Sequence, residues 1–311
     1  MSDIVILDTF IKNTESFISS ISKGERKALA RGISVVENEL EGSAELLKML
    51  KVRDVPVIGF TGPPGAGKST LINAFIRKIV SLNKKVAVLA VDPTSPFNFG
   101  SLLGDRLRMA EHFNDEKVFI RSVATRGSLG GLTEKIIEIT DVLKSADFDF
   151  ILIETVGVGQ SEVEIAGLAD TTVVVVVPES GDDIQALKSG IMEIADIFVV
   201  NKSDREGAAT FENNLKKMLM YKPVNEWSIP VLSTIATTGD GVEEVFEKTL
   251  LHKMSKSFNE KKYFLLTEKA WKLISNNRMR GLIKEEIHKA IQSEVASSSF
   301  NLYRFIEKFN R

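Results

Sequence analysis

A short run early in the chain has the residue types and the spacing of a phosphate-binding loop. The run is Gly62, Pro63, Pro64, Gly65, Ala66, Gly67, Lys68 and Ser69, and Thr70 follows it. It matches the pattern G-x-x-x-x-G-K-[ST] in full. Glycines let consecutive backbone N–H groups point into one cavity, where they bind phosphate together with a helix N-terminus. We expect Lys68 to reach the β- and γ-phosphates of a nucleotide and Ser69 to place its hydroxyl on Mg²⁺.

A second motif, Asn201-Lys202-Ser203-Asp204, indicates which base the nucleotide carries. It resembles the N-K-x-D element of GTP-binding proteins. The Asp204 carboxylate can accept hydrogen bonds from both the N1–H and the exocyclic amino group of guanine, and the stem of Lys202 can lie along the base plane. Adenine has no donor at either position, so its binding would leave the carboxylate unpaired. The motif therefore predicts a preference for guanine.

A third element lies further along the chain, between the apolar run IPVLST and the turn sequence TGDG. In GTPases this position supplies backbone N–H groups to the guanine O6. The residues of this element are Ile235, Ala236 and Thr237. Together with the phosphate loop and the motif Asn201, Lys202 and Asp204, they form the candidate binding set for GTP and GDP.

Three carboxylates are candidate partners of Ser69 in a magnesium site. Asp92 ends one apolar run, Asp105 lies in the segment LLGDR, and Glu154 ends the run FILIE. Ligands of open α/β sheets bind at the carboxyl ends of the strands, and Mg²⁺ prefers one or two carboxylates with phosphate oxygens and waters. The segment that starts at Glu154 takes the place of the usual D-x-x-G, and Gln160 is a candidate for orienting the attacking water.

The elements that must position these residues alternate between strands and helices. Apolar, β-rich runs occupy 55–60, 85–91, 117–123, 148–155, 171–178, 196–201 and 229–234. Helix-like stretches lie near 69–82, 105–114, 131–146, 182–195, 206–220 and 241–255. Continuously apolar strands indicate a sheet that is covered on both faces. This alternation predicts an α/β P-loop fold with a mostly parallel sheet.

Helical sequence flanks this alternating region on both sides. We expect an N-terminal helical extension over residues 1–52, a P-loop GTPase core over 53–255 and a C-terminal helical extension over 256–311. Apolar stripes such as Leu29, Ile33 and Val36 mark the first extension, and Trp271 and Ile274 mark the last. Such faces do not reveal whether they pack on the core or on a second copy of the chain.

Composition excludes several functional classes. Among 311 residues, 40 Lys and Arg stand against 42 Asp and Glu, so the chain lacks the basic surplus of a general nucleic-acid binder. It has no cysteine, and its three histidines have no neighbour at ligand spacing, which disfavours a soft-metal site. We expect those histidines to be surface or partly buried helical residues. No apolar run is long enough to cross a membrane, and a cytoplasmic location is the expectation.

Seven segments extend these motifs into a longer signature. They occur in the order PPGAGKST, AVDPTS, GSLLGDRLRM, RSVATRGSLGG, ETVGVGQSE, GDDIQALKSGIMEIAD and NKSD. The signature resembles the methylmalonyl-CoA mutase-associated GTPases, which are chaperones of cobalamin-dependent mutases. Members of that family are often labelled arginine/ornithine transport system kinases. The resemblance runs from about residue 26 to about residue 241.

The resemblance implies a specific activity for the chain. A member of this family is expected to use GTP binding and hydrolysis to gate the loading of adenosylcobalamin onto a mutase and to protect that mutase. It is also expected to form a homodimer through its C-terminal extension. Asp92, Asp105 and Glu154 match acidic positions associated with Mg²⁺, and Lys188 matches a lysine that relays the nucleotide state to the partner. Together with Lys68 and Gln160, nominated above from the motifs themselves, Asp105 and Lys188 complete the candidate catalytic set.

One feature indicates that this chain does not hold cobalamin by the usual lower-ligand motif, and a second, its length, that the mutase is a separate chain. The motif Asp-x-His-x-x-Gly, which supplies the lower ligand in cobalamin-binding domains, is absent. The chain is also shorter than proteins in which the chaperone is fused to the mutase. One departure from the family is the segment 96–100, PFNFG, where a smaller glycine-rich stretch is usual.

Three other functions remain open alternatives from the residues alone. A small-molecule P-loop kinase would use arginines such as Arg106, Arg108, Arg121 and Arg126 in a lid. However, most such kinases use ATP, and the NKSD motif disfavours ATP. A nickel-delivery GTPase needs imidazole or thiolate ligands that this chain does not group together. A binding scaffold with an inactive nucleotide site is disfavoured by the intact Lys68 and Ser69.

Overall fold

The computed structural model describes residues 14–92, 109–124, 135–155, 161–178, 191–220, 227–255, 260–278, 284–297 and 305–306. The strands are β1 (Val57–Thr61), β2 (Val86–Asp92), β3 (Val118–Ala124), β4 (Phe150–Glu154), β5 (Thr171–Val176), β6 (Ile197–Asn201) and β7 (Val231–Thr234). The helices are α1 (14–22), α2 (Arg26–Glu37), α3 (Ser43–Met49), α4 (Lys68–Ser81), α5 (Ile136–Lys144), α6 (Ser161–Leu168), α7 (Ile191–Ile194), α8 (Ala208–Leu219), α9 (Val242–Met254), α10 (Glu260–Arg278) and α11 (Lys284–Ser297).

The strands form one seven-stranded sheet in the order β3-β2-β4-β1-β5-β6-β7. Every neighbouring pair is parallel. Strands β1, β4, β5 and β6 are buried at every residue, as their continuously apolar sequences predict. The predicted α/β P-loop fold with a parallel sheet and flanking helices is confirmed. Its carboxyl edge carries the ends of β1, β4, β6 and β7, which is where a ligand of such a sheet binds.

The helices that flank the sheet pack closely beside both ends of the phosphate loop. Phe75 of α4 packs edge-on against Phe60 of β1, with ring centroids 5.1 Å apart, and against Phe246 of α9, at 5.8 Å. On the opposite face, a Cβ on Gly59 would fall 2.5 Å from the Ile165 side chain, so α6 approaches β1 closely. Both ends of the phosphate loop are therefore anchored in closely packed parts of the core.

The N-terminal helices are tied to the edge of the sheet. The guanidinium of Arg26, at the start of α2, donates hydrogen bonds to the carbonyls of Phe113, Asp115 and Val118, next to β3. At the other end of α2, Glu37 forms an ion pair with Arg121 of β3 at 3.3 Å. These contacts hold α2 along the outermost strand, where otherwise unpaired backbone groups would attract other chains.

The chain forms two compact units, Met1–Tyr263 and Phe264–Arg311. The N-terminal helices belong to the first unit together with the sheet. In the second unit, α10 exposes large apolar side chains: Phe264 is 67% exposed, Trp271 70% and Ile274 49%. The division into residues 1–52, 53–255 and 256–311 stays a prediction. Within the described ranges, no helix is both long enough and apolar enough to cross a membrane.

Two histidines and one helix differ from the expectations drawn from the sequence. His112 and His252 are buried, with only 7% and 8% of their surfaces exposed, whereas His288 is exposed as expected. The ring of His252 can be buried because its Nδ1 lies 2.9 Å from the hydroxyl of Thr171 and its Nε2 lies 3.6 Å from an Asp196 oxygen. The helix predicted at 105–114 is only a 3-10 turn at Ala110–His112 in its described part.

Candidate functional site

The phosphate loop joins the end of β1 to the start of α4, as the sequence predicts. Gly62, Gly65 and Gly67 all have positive φ angles, which residues with a Cβ rarely adopt. At two of them a side chain would also collide with the protein. A Cβ on Gly62 would lie 2.0 Å from the carbonyl oxygen of Val175, and one on Gly67 would lie 2.3 Å from the amide nitrogen of Asn201. The loop therefore depends on glycine for both its backbone bend and its packing.

Lys68 and Ser69 lie at the start of α4 and are both buried. The ammonium group of Lys68 donates to the carbonyls of Gly62, at 2.8 Å, and Pro63, at 3.1 Å, so it lies over its own loop. The Ser69 hydroxyl donates to Oε1 of Glu154 at 2.6 Å. A helix N-terminus, a cation and a hydroxyl thus meet at one point, which is the arrangement that binds a nucleotide phosphate.

Sheet register brings Glu154 to the loop. β4 lies between β1 and β2, where Glu154 is the partner of both Phe60 and Ala90. Glu154 is only 8% exposed. A buried carboxylate and a hydroxyl in contact form an oxygen donor set that suits Mg²⁺. The described residues contain no group of three or more His, Cys, Asp or Glu side chains that could hold a metal ion by themselves.

The other predicted metal and catalytic residues fall largely outside the described structure. Asp92 is the last residue of β2, next to Ala124 of β3, but its side chain is not among those described. The residues outside the described ranges are Asp105, Gln160 and Lys188. Their roles stay predictions.

Asn201 links the phosphate loop to the segment that follows β7. Its side-chain nitrogen donates to the carbonyl of Ala66 at 2.8 Å. Its side-chain oxygen accepts hydrogen bonds from the Thr234 hydroxyl and from the backbone N–H of Ala236, both at 3.1 Å. Asn201 is only 2% exposed. The three segments that the sequence nominates separately are therefore joined through one buried amide.

Lys202 makes a second link to the phosphate loop. Its φ angle is 57°, in the left-handed region that few residues with a side chain adopt. Its ammonium group donates to the carbonyl of Gly65 at 2.9 Å. The backbone N–H of Ser203 donates to the carbonyl of Thr234 at 3.1 Å, which fixes the turn to β7. Asp204 follows this turn and is exposed.

These segments surround a cavity of about 180 Å³ at the carboxyl edge of the sheet. Its lining residues are Gly67, Thr70, Asn201, Lys202, Asp204, Arg205, Ile235, Ala236 and Thr237. The predicted base-binding residues are thus brought together beside the phosphate loop. Arg205 is the lining residue that sequence reasoning missed. The signal available was its position directly after Asp204.

Comparison with known proteins identifies a family for this chain. The family model described as methylmalonyl-CoA mutase-associated GTPase MeaB matches residues 29–294. A protein of Pyrococcus horikoshii, provisionally named a GTPase, is 45% identical over 288 residues, which cover 91% of this chain and 87% of that protein. The GTPase ArgK of Escherichia coli is 36% identical over 242 residues, which cover 74% of this chain and 72% of ArgK.

Two further similarities concern a mammalian relative and the fold. The mouse mitochondrial methylmalonic aciduria type A homolog is 36% identical over 252 residues, which cover 74% of this chain and 60% of that protein. A crystal structure of a LAO/AO transport system kinase has a TM-score of 0.69 at 24% identity, and the match covers 96% of this chain and 97% of that one. At that identity the structural match indicates a shared fold.

The family match spans the phosphate loop, the strand end at Glu154 and the guanine motif, and the fold places Glu154 against Ser69 and the guanine motif against the phosphate loop. The chain therefore belongs to the methylmalonyl-CoA mutase-associated GTPase family MeaB, and it is a P-loop GTPase that binds guanine nucleotides and hydrolyses GTP.

Proposed function

We propose that this GTPase is a chaperone of a cobalamin-dependent acyl-CoA mutase carried on a separate chain. In this proposal, GTP binding and hydrolysis gate the loading of adenosylcobalamin onto the mutase and protect the loaded enzyme. The family description and the name of the mouse relative both support a mutase of the methylmalonyl-CoA type. The structural observation that carries the nucleotide part is the Asn201 amide, which connects the phosphate loop to the segment after β7.

In the proposed site, one group of residues binds the phosphates of the nucleotide and another binds its base. Gly62 to Thr70 bind the phosphates through backbone N–H groups, with Lys68 able to turn from its loop carbonyls towards phosphate oxygens. Asp204 reads the edge of guanine, and the backbone around Ala236 faces its O6. Charge that develops on the transferred γ-phosphoryl is stabilised by Lys68 and the loop N–H groups.

Magnesium fits the oxygen donors at the start of α4. Ser69 and Glu154, with Asp92 and Asp105, would hold the ion, which would neutralise charge on the phosphate oxygens. Ser69 and Glu154 already lie within hydrogen-bond distance of each other, so the protein places the donor oxygens in advance. Asp105 is assigned to catalysis by family resemblance, and Gln160, by its position in the segment that starts at Glu154, as the residue that orients the attacking water.

The remaining assignments concern partners. Lys188 is proposed to relay the nucleotide state to the mutase, and the C-terminal extension is proposed to form a homodimer. Exposed apolar residues of α10, such as Trp271, are the described surface that supports dimerisation. We expect slow hydrolysis by the GTPase alone and faster hydrolysis in the complex, because the partner orders the catalytic segments.

GTP turnover with and without a methylmalonyl-CoA mutase tests the coupling. Turnover of the full chain is measured alone, with the mutase lacking cobalamin and with the mutase holding adenosylcobalamin. The proposal predicts acceleration that differs between the two mutase forms. Lys68→Ala serves as the control for contaminating phosphatase, since it removes the proposed phosphate contact. Identical rates in all three mixtures would contradict the chaperone function but not the GTPase activity.

A further inference from the structure

The cavity assigned to the guanine base has an unusual composition. Among the described residues that line it, none is aromatic, so no aromatic ring of this part of the chain stacks on the base. Purine sites commonly cover the faces of the base as well as reading its edge, because a purine ring is large, flat and apolar on its faces. Asp204 accounts for the edge of the base. The faces must be covered by other residues of the lining.

Two residues with cationic side chains line the cavity, Lys202 and Arg205. The ammonium group of Lys202 donates to the Gly65 carbonyl at 2.9 Å, which leaves its apolar stem as the part that can contact a base. Arg205 differs because its guanidinium is planar, delocalised and weakly hydrated, and therefore stacks well on aromatic faces. Of the residues described around the cavity, Arg205 is the one cation with that geometry.

The backbone of Arg205 is fixed on both sides. Its N–H donates to the carbonyl of Lys202 at 3.0 Å, and its own carbonyl accepts from the N–H of Ala208, the first residue of α8, at 3.3 Å. The side chain thus leaves a rigid turn between the Lys202 bend and a helix. Because the anchor is fixed, a stacked guanidinium loses less conformational entropy on binding than one on a loose loop would.

We propose that Arg205 is a nucleotide-binding residue whose guanidinium stacks on a face of the guanine base. It works beside Asp204, which reads the edge, and it contributes affinity without selecting between purines, because every purine presents a π face. The inference rests on the proposed assignment of this cavity to the base.

A purely electrostatic role makes a different prediction. A cation near the site attracts the phosphates of GDP from a distance but has no charge to attract in guanosine. Stacking acts on both ligands, because both carry the same base. Comparing a charged ligand with its neutral nucleoside therefore separates the two roles.

The experiment measures the affinities of the full-length chain for GDP, guanosine and inosine by displacement of a fluorescent guanine nucleotide. The variants are Arg205→Ala, Arg205→Lys and, as a matched charge control, Arg77→Ala, which removes an exposed arginine on the later part of α4. Stacking predicts that Arg205→Ala weakens all three ligands by a similar factor, about 3- to 30-fold. Arg205→Lys should recover little of the affinity, and Arg77→Ala should change none of it.

The outcomes separate this inference from the assignment of the cavity. Unchanged affinities in Arg205→Ala, or a loss for GDP with none for guanosine, overturn the stacking role. Asp204→Asn is measured in parallel for its preference of guanosine over inosine, which depends on the exocyclic amino group. If Asp204→Asn keeps that preference, the cavity assignment is wrong and the Arg205 inference is rejected with it. If Asp204→Asn loses the preference for guanosine over inosine but Arg205→Ala does not weaken all three ligands, the cavity assignment stands and only the stacking role of Arg205 is overturned.

Discussion

Asn201 supports the binding site as a buried side chain that holds its segments together by hydrogen bonds. Its amide is 2% exposed, and its oxygen already accepts two hydrogen bonds from Thr234 and Ala236. Its nitrogen reaches the carbonyl of Ala66 in the phosphate loop. The sequence motif nominates Asn201 as part of the guanine site, but not this connection, because the two ends of the contact lie far apart along the chain and only the sheet order brings them together.

Exchanging the base-reading carboxylate should change which nucleotide binds. Asp204→Asn replaces two acceptor oxygens with one acceptor and one donor, which mismatches guanine but complements the carbonyl at the same position of xanthine. We expect GDP affinity to fall by about 100-fold or more and XDP affinity to rise. Calorimetry with GDP, XDP and ADP on both proteins checks this. Unaltered GDP binding in the variant would show that Asp204 does not read the base.

Removing the Asn201 amide should affect both stability and binding. Asn201→Ala leaves the Ala66 carbonyl and the Ala236 N–H without their partner in a buried place, at a cost of about 1–3 kcal/mol in the free energy of unfolding. Nucleotide affinity should fall as well, since the phosphate loop loses a support. Urea unfolding and GDP titration provide the two readouts. Asn213→Ala, an exposed position on α8, should change stability by less than about 0.5 kcal/mol.

At the scale of elements, the sequence predicts the sheet well because several of its strands are continuously apolar and five of the seven end in a polar residue, namely Thr61, Asp92, Glu154, Asn201 and Thr234. The first and last residues of each observed strand lie within a few residues of those of its predicted run. For example, β1 spans Val57–Thr61 and its predicted run is 55–60. Burial of His252 was not predictable in this way. Its partners Thr171 and Asp196 belong to other elements, and a histidine on a helix gives no local sign of them.

Asp170 fastens the start of α10 to the amino edge of the sheet. It lies between α6 and β5, accepts a hydrogen bond from the Val57 N–H at 2.9 Å and pairs with Lys262 at 3.3 Å and Lys253 at 4.0 Å. Asp170→Ala should destabilise the protein by about 1–3 kcal/mol, because it leaves the Val57 N–H without this acceptor and removes an ion-pair partner from Lys262. Lys253 keeps its ion pair with Asp54 at 3.1 Å. Denaturant unfolding measures this change.

A control for Asp170 is available on the same edge of the sheet. Asp147 also pairs with two cations, Lys85 at 2.6 Å and Arg53 at 3.8 Å, but its side chain is 57% exposed. Exposed ion pairs contribute about 0–1 kcal/mol, so Asp147→Ala should have a small effect. Equal losses in the two variants would contradict the anchoring role given to Asp170.

Asp141 on α5 gives the stability of the protein a defined pH dependence. Burial raises the pKa of Asp141, and the positive charge of Lys144 opposes that rise. Because the folded-state pKa lies above the unfolded value, the folded chain binds more protons in the interval between them. The free energy of unfolding therefore falls as the pH rises through that interval, and the ionised carboxylate destabilises the folded state at neutral pH.

Asp141→Asn should accordingly stabilise the protein at pH 7. We expect a rise in Tm of about 1–3 °C, which shrinks as the pH is lowered towards the unfolded-state pKa, where the native carboxyl is already neutral. Thermal unfolding of both proteins across this pH range provides the measurement. Glu247→Gln, which removes a carboxylate from an exposed position on α9, is the matched control. A rise in Tm that becomes larger as the pH is lowered would contradict a raised pKa of Asp141 in the folded protein.

At the scale of the whole molecule, the exposed apolar residues of the second unit have a proposed partner in another copy of the chain. Trp271→Arg places a charge on that surface and should shift the mass in light scattering from twice the chain mass of 34.4 kDa towards a single chain. Met220→Arg, at a residue that is 79% exposed in the first unit, should leave the mass unchanged. A wild-type protein that is already monomeric would contradict dimerisation.

The two tryptophans of the chain happen to fall in different units. Trp227 in the first unit is partly buried, donates its indole N–H to the carbonyl of Asp196 at 2.8 Å and lies 4.8 Å from the ring of His252. Trp271 in the second unit is 70% exposed. Indole fluorescence shifts to longer wavelengths in water, so in a single copy of the chain the blue side of the emission reports on the first unit and the red side on the second, and dimerisation over Trp271 would shift the red component to shorter wavelengths. The protein thus carries its own optical probe of whether its two units melt together or one after the other.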